Sequence, residues 1–352
     1  MSTTSRRTFL EGAGAFGAAL LAGQHAHAEV DPITALIARP PAGFSPMAAP
    51  GKVVKVTKSG DFASLMQPNQ LWPKPEVARH MLEKGLTAFT GAPNVVEAMK
   101  KFIHKDDVVA IKVNGIALDT LATNFEVVLP VVEAVLGVGV PADKITVYEQ
   151  YPTFLWGTRV GKKGYVLPAG VKTATHNNAN HPMPDIRVYQ GIKTRYSRFL
   201  TEATAVINIS MIKHHSICGY TGLMKNMTHG NVNNPEDHHA HAASPQIAML
   251  YNHPIVTSRQ RLNITDGFKV KYDLGPLDKQ PATKTPHGAI YVSTDPVAMD
   301  SLGWKIVDDE RKERKLKLLS QLQNAPRYIE TAAELGLGVR DLNQIRLQTV
   351  EA

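Results

Sequence analysis

Cysteine is almost missing from this chain: Cys218 stands alone among 352 residues. A single thiol forms no intrachain disulfide, whatever the compartment, and it cannot build a cysteine-ligated iron–sulfur cluster within one chain. No CxxCH is present for covalent haem. GxSxG, a Walker loop, a complete dinucleotide fingerprint and HExxH are missing too, so the commonest nucleophile, nucleotide and zinc-hydrolase mechanisms find no support. Long apolar runs are also lacking. The best one, between Glu11 and Gln24, is too short and too rich in Gly and Ala for a permanent membrane span. Basic residues do not interleave with aromatics in a repeating pattern, so nucleic acid is not an expected partner. The run "RKERKLKLL" reads as a solvated helix face.

What is present describes a folded protein. At 43% apolar and 20% charged residues the chain can bury a substantial core. Its formal net charge of +8 favours acidic ligands or surfaces. The opening "MSTTSRRTFLEGAGAFGAALLAGQHAHAEV" has paired arginines, a modest Gly/Ala run and small residues at Ala26 and Ala28. "SRRTFL" resembles the twin-arginine export motif, which makes residues 1–28 a signal peptide and the expected location periplasmic or exported. The twin-arginine export machinery is then one partner. That route carries folded proteins and raises the prospect of a bound cofactor without naming it.

Residues 29–352 read as a single large α/β domain with long loops and an irregular N-terminal arm over about 29–50. A short strand is expected at Val53–Thr57, then a proline-opened helix in "PKPEVARHMLEKGLTAFTG" and further helix in "NVVEAMKKFI". "DDVVAIKVNG", "NFEVVLPVVEAVLGVGV" and "DKITVYEQ" form a strand, an apolar-faced helix and a strand with an acidic end, the pattern of a right-handed βαβ unit. A loop-rich middle follows, then strand character in "AVINI", strand and loop in "LNITDGFK", and a strand followed by a proline-opened helix in "GAIYVSTDPVAMDSLGWKIVDDE". The tail gives a helix and an edge strand. The fold expected is a mixed, largely parallel sheet flanked by helices.

Five separated segments carry a resemblance: "VVAIKVN" (108–114), "VINISMIKHHSICGYTGLMKNMTHG" (206–230), "ITDGF" (264–268), "GAIYVSTDPVAMDSLG" (288–303) and "AAELGLGVRDLNQIRL" (332–347). In this order they resemble the domain of unknown function 362 family of bacteria and archaea. The resemblance places the family's strand tip on Lys112 and Asn114, and its KxH on Lys213 and His215. Its T followed by KN falls on Thr221, Lys225 and Asn226, its DG on Asp266 and Gly267, and its DPVAxD on Asp295, Pro296 and Asp300. Members often carry ferredoxin-type cysteine clusters, which this chain lacks. The Gly-rich acidic loop after the DG is replaced by "KVKYDLGPLDKQPATKTPHG", where only Gly275 and Pro276 match.

Read as chemistry, Lys112, Asn114, Lys213, His215, Lys225 and Asn226 all lie at strand ends or in loops after strands, where open α/β sheets bind ligands. Lysines supply charge and carboxamides supply oriented donors for a carboxylate or phosphate. Lys213 and Lys225 are expected as an electrostatic clamp, with Lys112, Asn114, Thr221 and Asn226 as substrate-binding groups. His215 is then a proton-transfer residue or ligand, and Asp266 and Asp300 are acids, bases or ligands. Asp266 equally suits a turn, and Asp295 suits a helix cap. Asp300, inside a helix, needs a partner, either one of the lysines or a metal.

Six histidines crowd "KHHSICGYTGLMKNMTHGNVNNPEDHHAH" (213–241). This is a metal site, an anion-binding active site, or a polar loop. For a metal the expected ligands are His215, His229, His238 and His241, the last two paired on one face of a short helix capped by Asn234, with Asp237 or His239 assisting. The ion would be divalent: iron, zinc, nickel or copper. His176 and His181 join if the middle loop folds over. Cys218 is a small buried thiol or, less readily, a nucleophile.

Three functions compete. The favoured one is an exported enzyme acting on a small anionic substrate, possible metal assistance included. The second is a noncatalytic periplasmic metal-binding or redox-accessory protein serving a redox partner. The third is a structural component of an extracellular assembly.

Overall fold

A computed structural model describes residues 33–177, 185–187 and 191–352. The proposed signal peptide and His181 lie outside the described residues. Among the described residues eleven strands form: β1 (Lys52–Thr57), β2 (Val109–Lys112), β3 (Ile145–Glu149), β4 (Lys172–Thr175), β5 (Ile186–Arg187), β6 (Lys193–Thr194), β7 (Ala205–His215), β8 (Gly219–Thr221), β9 (Gln260–Lys271), β10 (Lys284–Ser293) and β11 (Arg346–Glu351). Except for the β5–β6 ribbon they make one sheet in the order β11-β1-β10-β9-β7-β2-β3-β4, with β8 folded back on β7. From β9 to β4 every neighbouring pair is parallel, whereas β10 runs antiparallel to both β9 and β1. The sheet is thus mixed and largely parallel, an α/β fold, as the strand and helix patterns predict.

Burial on both faces explains the composition of the central strands. All eleven residues of β7 are buried, which suits its near-continuous apolar start "AVINI". On one face lie the helices α1 (Pro75–Thr90) and α2 (Phe125–Val138), whose Met81, Leu82, Val127 and Val131 meet Ile111 and Ile209 of the sheet. The βαβ unit β2–α2–β3 forms as expected, with Val109 opposite Ile145. The short helices α3 (Pro152–Gly157) and α4 (Leu223–Met227) follow the carboxyl ends of β3 and β8. The long helix α5 (Pro296–Glu313) covers the second face, where Val297 and Ala298 join Tyr220, Met224 and Tyr328 in one apolar cluster.

Two local readings change. Asp266–Gly267 makes no turn but lies inside the twelve-residue strand β9, where the register against β7 slips between Met211 and Ile212. On its other side Gly267 pairs with Ala289 of β10, and the two backbones approach so closely that a Cβ there would lie 2.8 Å from the Ala289 carbonyl oxygen. The stretch Pro235–Ala243 is a kinked 3-10 segment rather than a regular helix: Ala240 is extended, and His241, Ala242 and Ala243 all have positive φ. Asn234 provides no side-chain cap there. By contrast Asp295 caps α5 as expected, accepting from Ala298 N at 2.8 Å, and its other oxygen ties down Gly51 and Val339. No described helix is long and apolar enough to cross a membrane.

The loop after β2 and helix α3 touch backbone to backbone. A Cβ on Gly115 would stand 1.7 Å from the Phe154 carbonyl oxygen. Gly115→Ala should therefore cost about 1–3 kcal/mol by overpacking, read as a lower urea midpoint, and should push α3 away from the strand tip.

Candidate functional site

The carboxyl ends of β2, β3 and β7 and helix α4 enclose a pocket of about 220 Å³. Asn114, Glu149, His215, Thr221, Lys225, Asn226, His229 and His239 line it, with Ile116, Tyr151 and Phe154 on an apolar side. A larger groove of about 850 Å³ runs beside α5 and residues 338–344, but its lysine, Lys305, is exposed, and none of its lining residues is a histidine. The chemistry converges on the smaller space.

Three lysines are buried in this region, and their surroundings differ. Lys112 Nζ donates to the Val113 carbonyl at 2.7 Å and to Asn226 Oδ1 at 3.2 Å, and lies 3.2 Å from Glu149 Oε1. Burial lowers its pKa, and Glu149 opposes the shift. Lys213 Nζ donates to Asn114 Oδ1 at 2.6 Å and the Leu121 carbonyl at 3.0 Å. Burial pushes it down to about 7. Lys225 has neither a carboxylate nor a carbonyl bonded to its amine among the described residues: its polar neighbour is His239 Nε2 at 3.1 Å. No described carboxylate reaches it as a salt bridge, and burial lowers its pKa as well.

A chain of carboxamides fixes the floor. Asn114 Nδ2 donates to Asn226 Oδ1 (3.2 Å), Asn226 Nδ2 to Asn208 Oδ1 (2.8 Å), and Asn208 Nδ2 to Asn263 Oδ1 (3.3 Å). Each amide's orientation follows from a lysine, which only donates, at its start. Glu149 accepts from Gly115 N at 3.1 Å and from Gln150 N, so its charge is shared among fixed donors.

The histidine tautomers follow by the same logic. The Ile217 N–H donates to His215 Nδ1 at 3.1 Å, which leaves the proton of the neutral ring on Nε2. His229 Nε2 faces the His238 carbonyl at 3.0 Å, so it carries the proton. His239 Nε2 must accept from Lys225, so its proton is on Nδ1. Burial holds His215 and His229 well below the usual imidazole range and brings His239 down to about 4. All three rings are neutral at pH 7. The His215 and His239 rings stack at 5.8 Å, and His229 meets His239 edge-on at 4.7 Å.

The expected metal ligands are not brought together. His241 is exposed and lines a separate hollow with Ile217 and Arg327, because the kink at Ala240 breaks the helical face it was to share with His238. His238 turns its Nε2 to Thr194 Oγ1 at 2.7 Å. Asp237 is held by Asn234, and His239 takes the place foreseen for His241. A cation on His239 Nε2 would displace the Lys225 ammonium or face it at close range. Among the described residues no group of three or more His, Cys, Asp or Glu side chains is placed to hold a metal ion. His214 and His215 face opposite ways, as strand alternation requires: His214 Nδ1 accepts from Gly275 N at 3.1 Å. His176 lies beside the site, 3.0 Å from the Gly230 carbonyl.

The two aspartates expected as acids, bases or ligands lie outside the pocket lining. Asp266 Oδ2 accepts from Asn124 N at 2.7 Å and Asn124 Nδ2 at 2.8 Å, at the start of α2. Asp300 meets no lysine among the described residues: its oxygens accept from Leu223 N (2.7 Å), Met224 N (3.1 Å) and Tyr328 OH (3.3 Å). It anchors the first turn of α4, the helix that carries Lys225 and Asn226. Burial raises Asp266 to about 6 and Asp300 to about 7. Cys218 donates to the Tyr220 carbonyl and is pushed up to about 12 by burial, the condition of an inert thiol.

Sequence reasoning missed Asn208, Asn263, Tyr151 and Phe154, and noted Glu149 only as a strand's acidic end. Asn208 inside "VINIS" was the available signal, since an amide in a fully buried strand must find partners. A family model described as "Domain of unknown function (DUF362)" matches residues 109–305. No curated protein matches the chain.

Because burial raises its folded-state pKa, Asp300 contributes stability at low pH that is lost as pH rises through about 7. Asp300→Asn should therefore gain on the wild type between pH 5 and pH 8. The gain is bounded by about 1.4 kcal/mol per pKa unit and shows as a converging or crossing pair of urea midpoints.

Proposed function

The chain belongs to the DUF362 family, and from that premise we propose that it is an enzyme acting on a small anionic substrate in the pocket around Lys225. One observation carries this reading: Lys225 is buried in the pocket wall with an imidazole nitrogen as its polar neighbour, while Lys112 is paired with Glu149 and the Lys213 amine is occupied by Asn114 Oδ1 and the Leu121 carbonyl. An uncompensated buried cation is costly. A carboxylate or phosphate entering the pocket supplies the missing charge, and the His215 Nε2–H supplies a directed donor to it. Ile116 and Phe154 suit the apolar remainder of a compact molecule.

Lys213 and Lys112 then act indirectly. They orient Asn114 and Asn226, and the clamp expected of two lysines rests on Lys225. Burial of His215 and His229 favours an enclosed reaction site over a surface metal carrier. The opening "SRRTFL" supports export to the periplasm by the twin-arginine route.

Calorimetric titration with a panel of small carboxylates and phosphates tests the reading. Binding by the wild type should weaken at least tenfold in Lys225→Ala and less in Lys225→Arg, with circular dichroism unchanged. Equal affinity in Lys225→Ala would refute it.

A further inference from the structure

We propose that Lys225 is a nucleophile that forms an imine with the carbonyl group of a small oxo acid, with His239 Nε2 moving the proton. This deepens the preceding reading and rests on it, since the acid group of the substrate is what the pocket is argued to bind.

The geometry supplies each part. An amine attacks a carbonyl only as the free base, and a lysine clamped by a carboxylate is held as ammonium. Lys225 has no such clamp among the described residues, and the one group against it, His239 Nε2, is an acceptor at 3.1 Å. Its low solvent exposure, 8%, lowers its pKa in the same sense. Asp300 fixes the backbone of α4 at Leu223 and Met224, so the amine projects from a held turn. The His215 ring, stacked on His239, presents its Nε2–H as the donor for a carbonyl or carboxylate oxygen. Lys213 provides the contrast. It too is buried, but Asn114 and Leu121 occupy its amine and it does not line the pocket.

In the step itself the Lys225 ammonium gives a proton to His239 Nε2, and the free amine adds to the carbonyl carbon. The new N–C bond forms as the C=O π bond breaks, and one N–H proton passes from the new ammonium nitrogen to the alkoxide oxygen, giving a carbinolamine whose nitrogen keeps one proton. His239 returns its proton to the leaving oxygen, the C–O bond breaks, and one water departs as the C=N bond forms. No oxidant or reductant is consumed.

The experiment is to incubate the folded protein with pyruvate or glyoxylate and sodium cyanoborohydride, then map the modified peptides by mass spectrometry. One adduct per chain is expected on Lys225, at least tenfold faster than on exposed lysines such as Lys305 and without modification of Lys213. His239→Asn should slow the adduct at least tenfold while calorimetry still detects the bound acid. Acid binding by the wild type without an adduct on Lys225 overturns the imine and leaves the anion pocket standing. Neither binding nor adduct overturns both for these acids. Labelling spread evenly over the exposed lysines overturns the imine, and because the wild-type map needs no variant, a substitution that fails to fold does not rescue it.

Discussion

Burying three lysines at the carboxyl edge of one sheet is the constraint to which the site's other features answer. Each ammonium taken from water must be matched by acceptors or lose its proton. The carboxamide of Asn226 is the common solution for two of them. Its oxygen accepts from Lys112 and from Asn114, which is itself oriented by Lys213, and its nitrogen passes the chain on to Asn208. Four amides from β7, β9, α4 and the loop after β2 thereby share one directional network. Reversing any one of them would place donor against donor, so the network fixes the relative positions of the elements that carry it.

The third lysine falls outside that solution, and its position is no accident of a loose loop. Helix α4 has its first turn held by Asp300 from α5, and both helices contribute to one apolar cluster. The cost of burying that carboxylate is offset by two backbone donors and a tyrosine hydroxyl. Asp300 thus serves the site through the backbone. Asp266 does the same at the start of α2, by way of Asn124. Both aspartates position helices, and neither lines the pocket.

Much of the fold was legible because it rests on local pattern. The buried runs of β2, β3 and β7, the Asp295 cap with Pro296 behind it, and the terminal edge strand follow from periodicity and capping chemistry. The site was legible in part. Lys225, His215, Asn114, Thr221 and Asn226 line the pocket as expected, and His229 joins them as a ring hydrogen-bonded to the chain. His241 in place of His239 was an error of period: a regular helix was assumed where the backbone kinks at Ala240. Assigning Asp300 a lysine or metal partner overlooked backbone N–H groups, which no residue code displays.

The sequence by itself determined the α/β class, the parallel βαβ unit and the family, because these depend on apolar spacing, caps and ordered motifs along the chain. Only the tertiary structure decided which lysine amine faces the pocket with neither carboxylate nor carbonyl against it among the described residues, which nitrogen of each histidine carries the proton, and that Asp300 anchors a helix. Those are properties of pairs and networks, some closing over 2 to 14 residues through the shape of a loop and others joining residues 77 to 142 apart in the chain. Their energies depend on burial and direction, and neither exists until the strands and helices have packed.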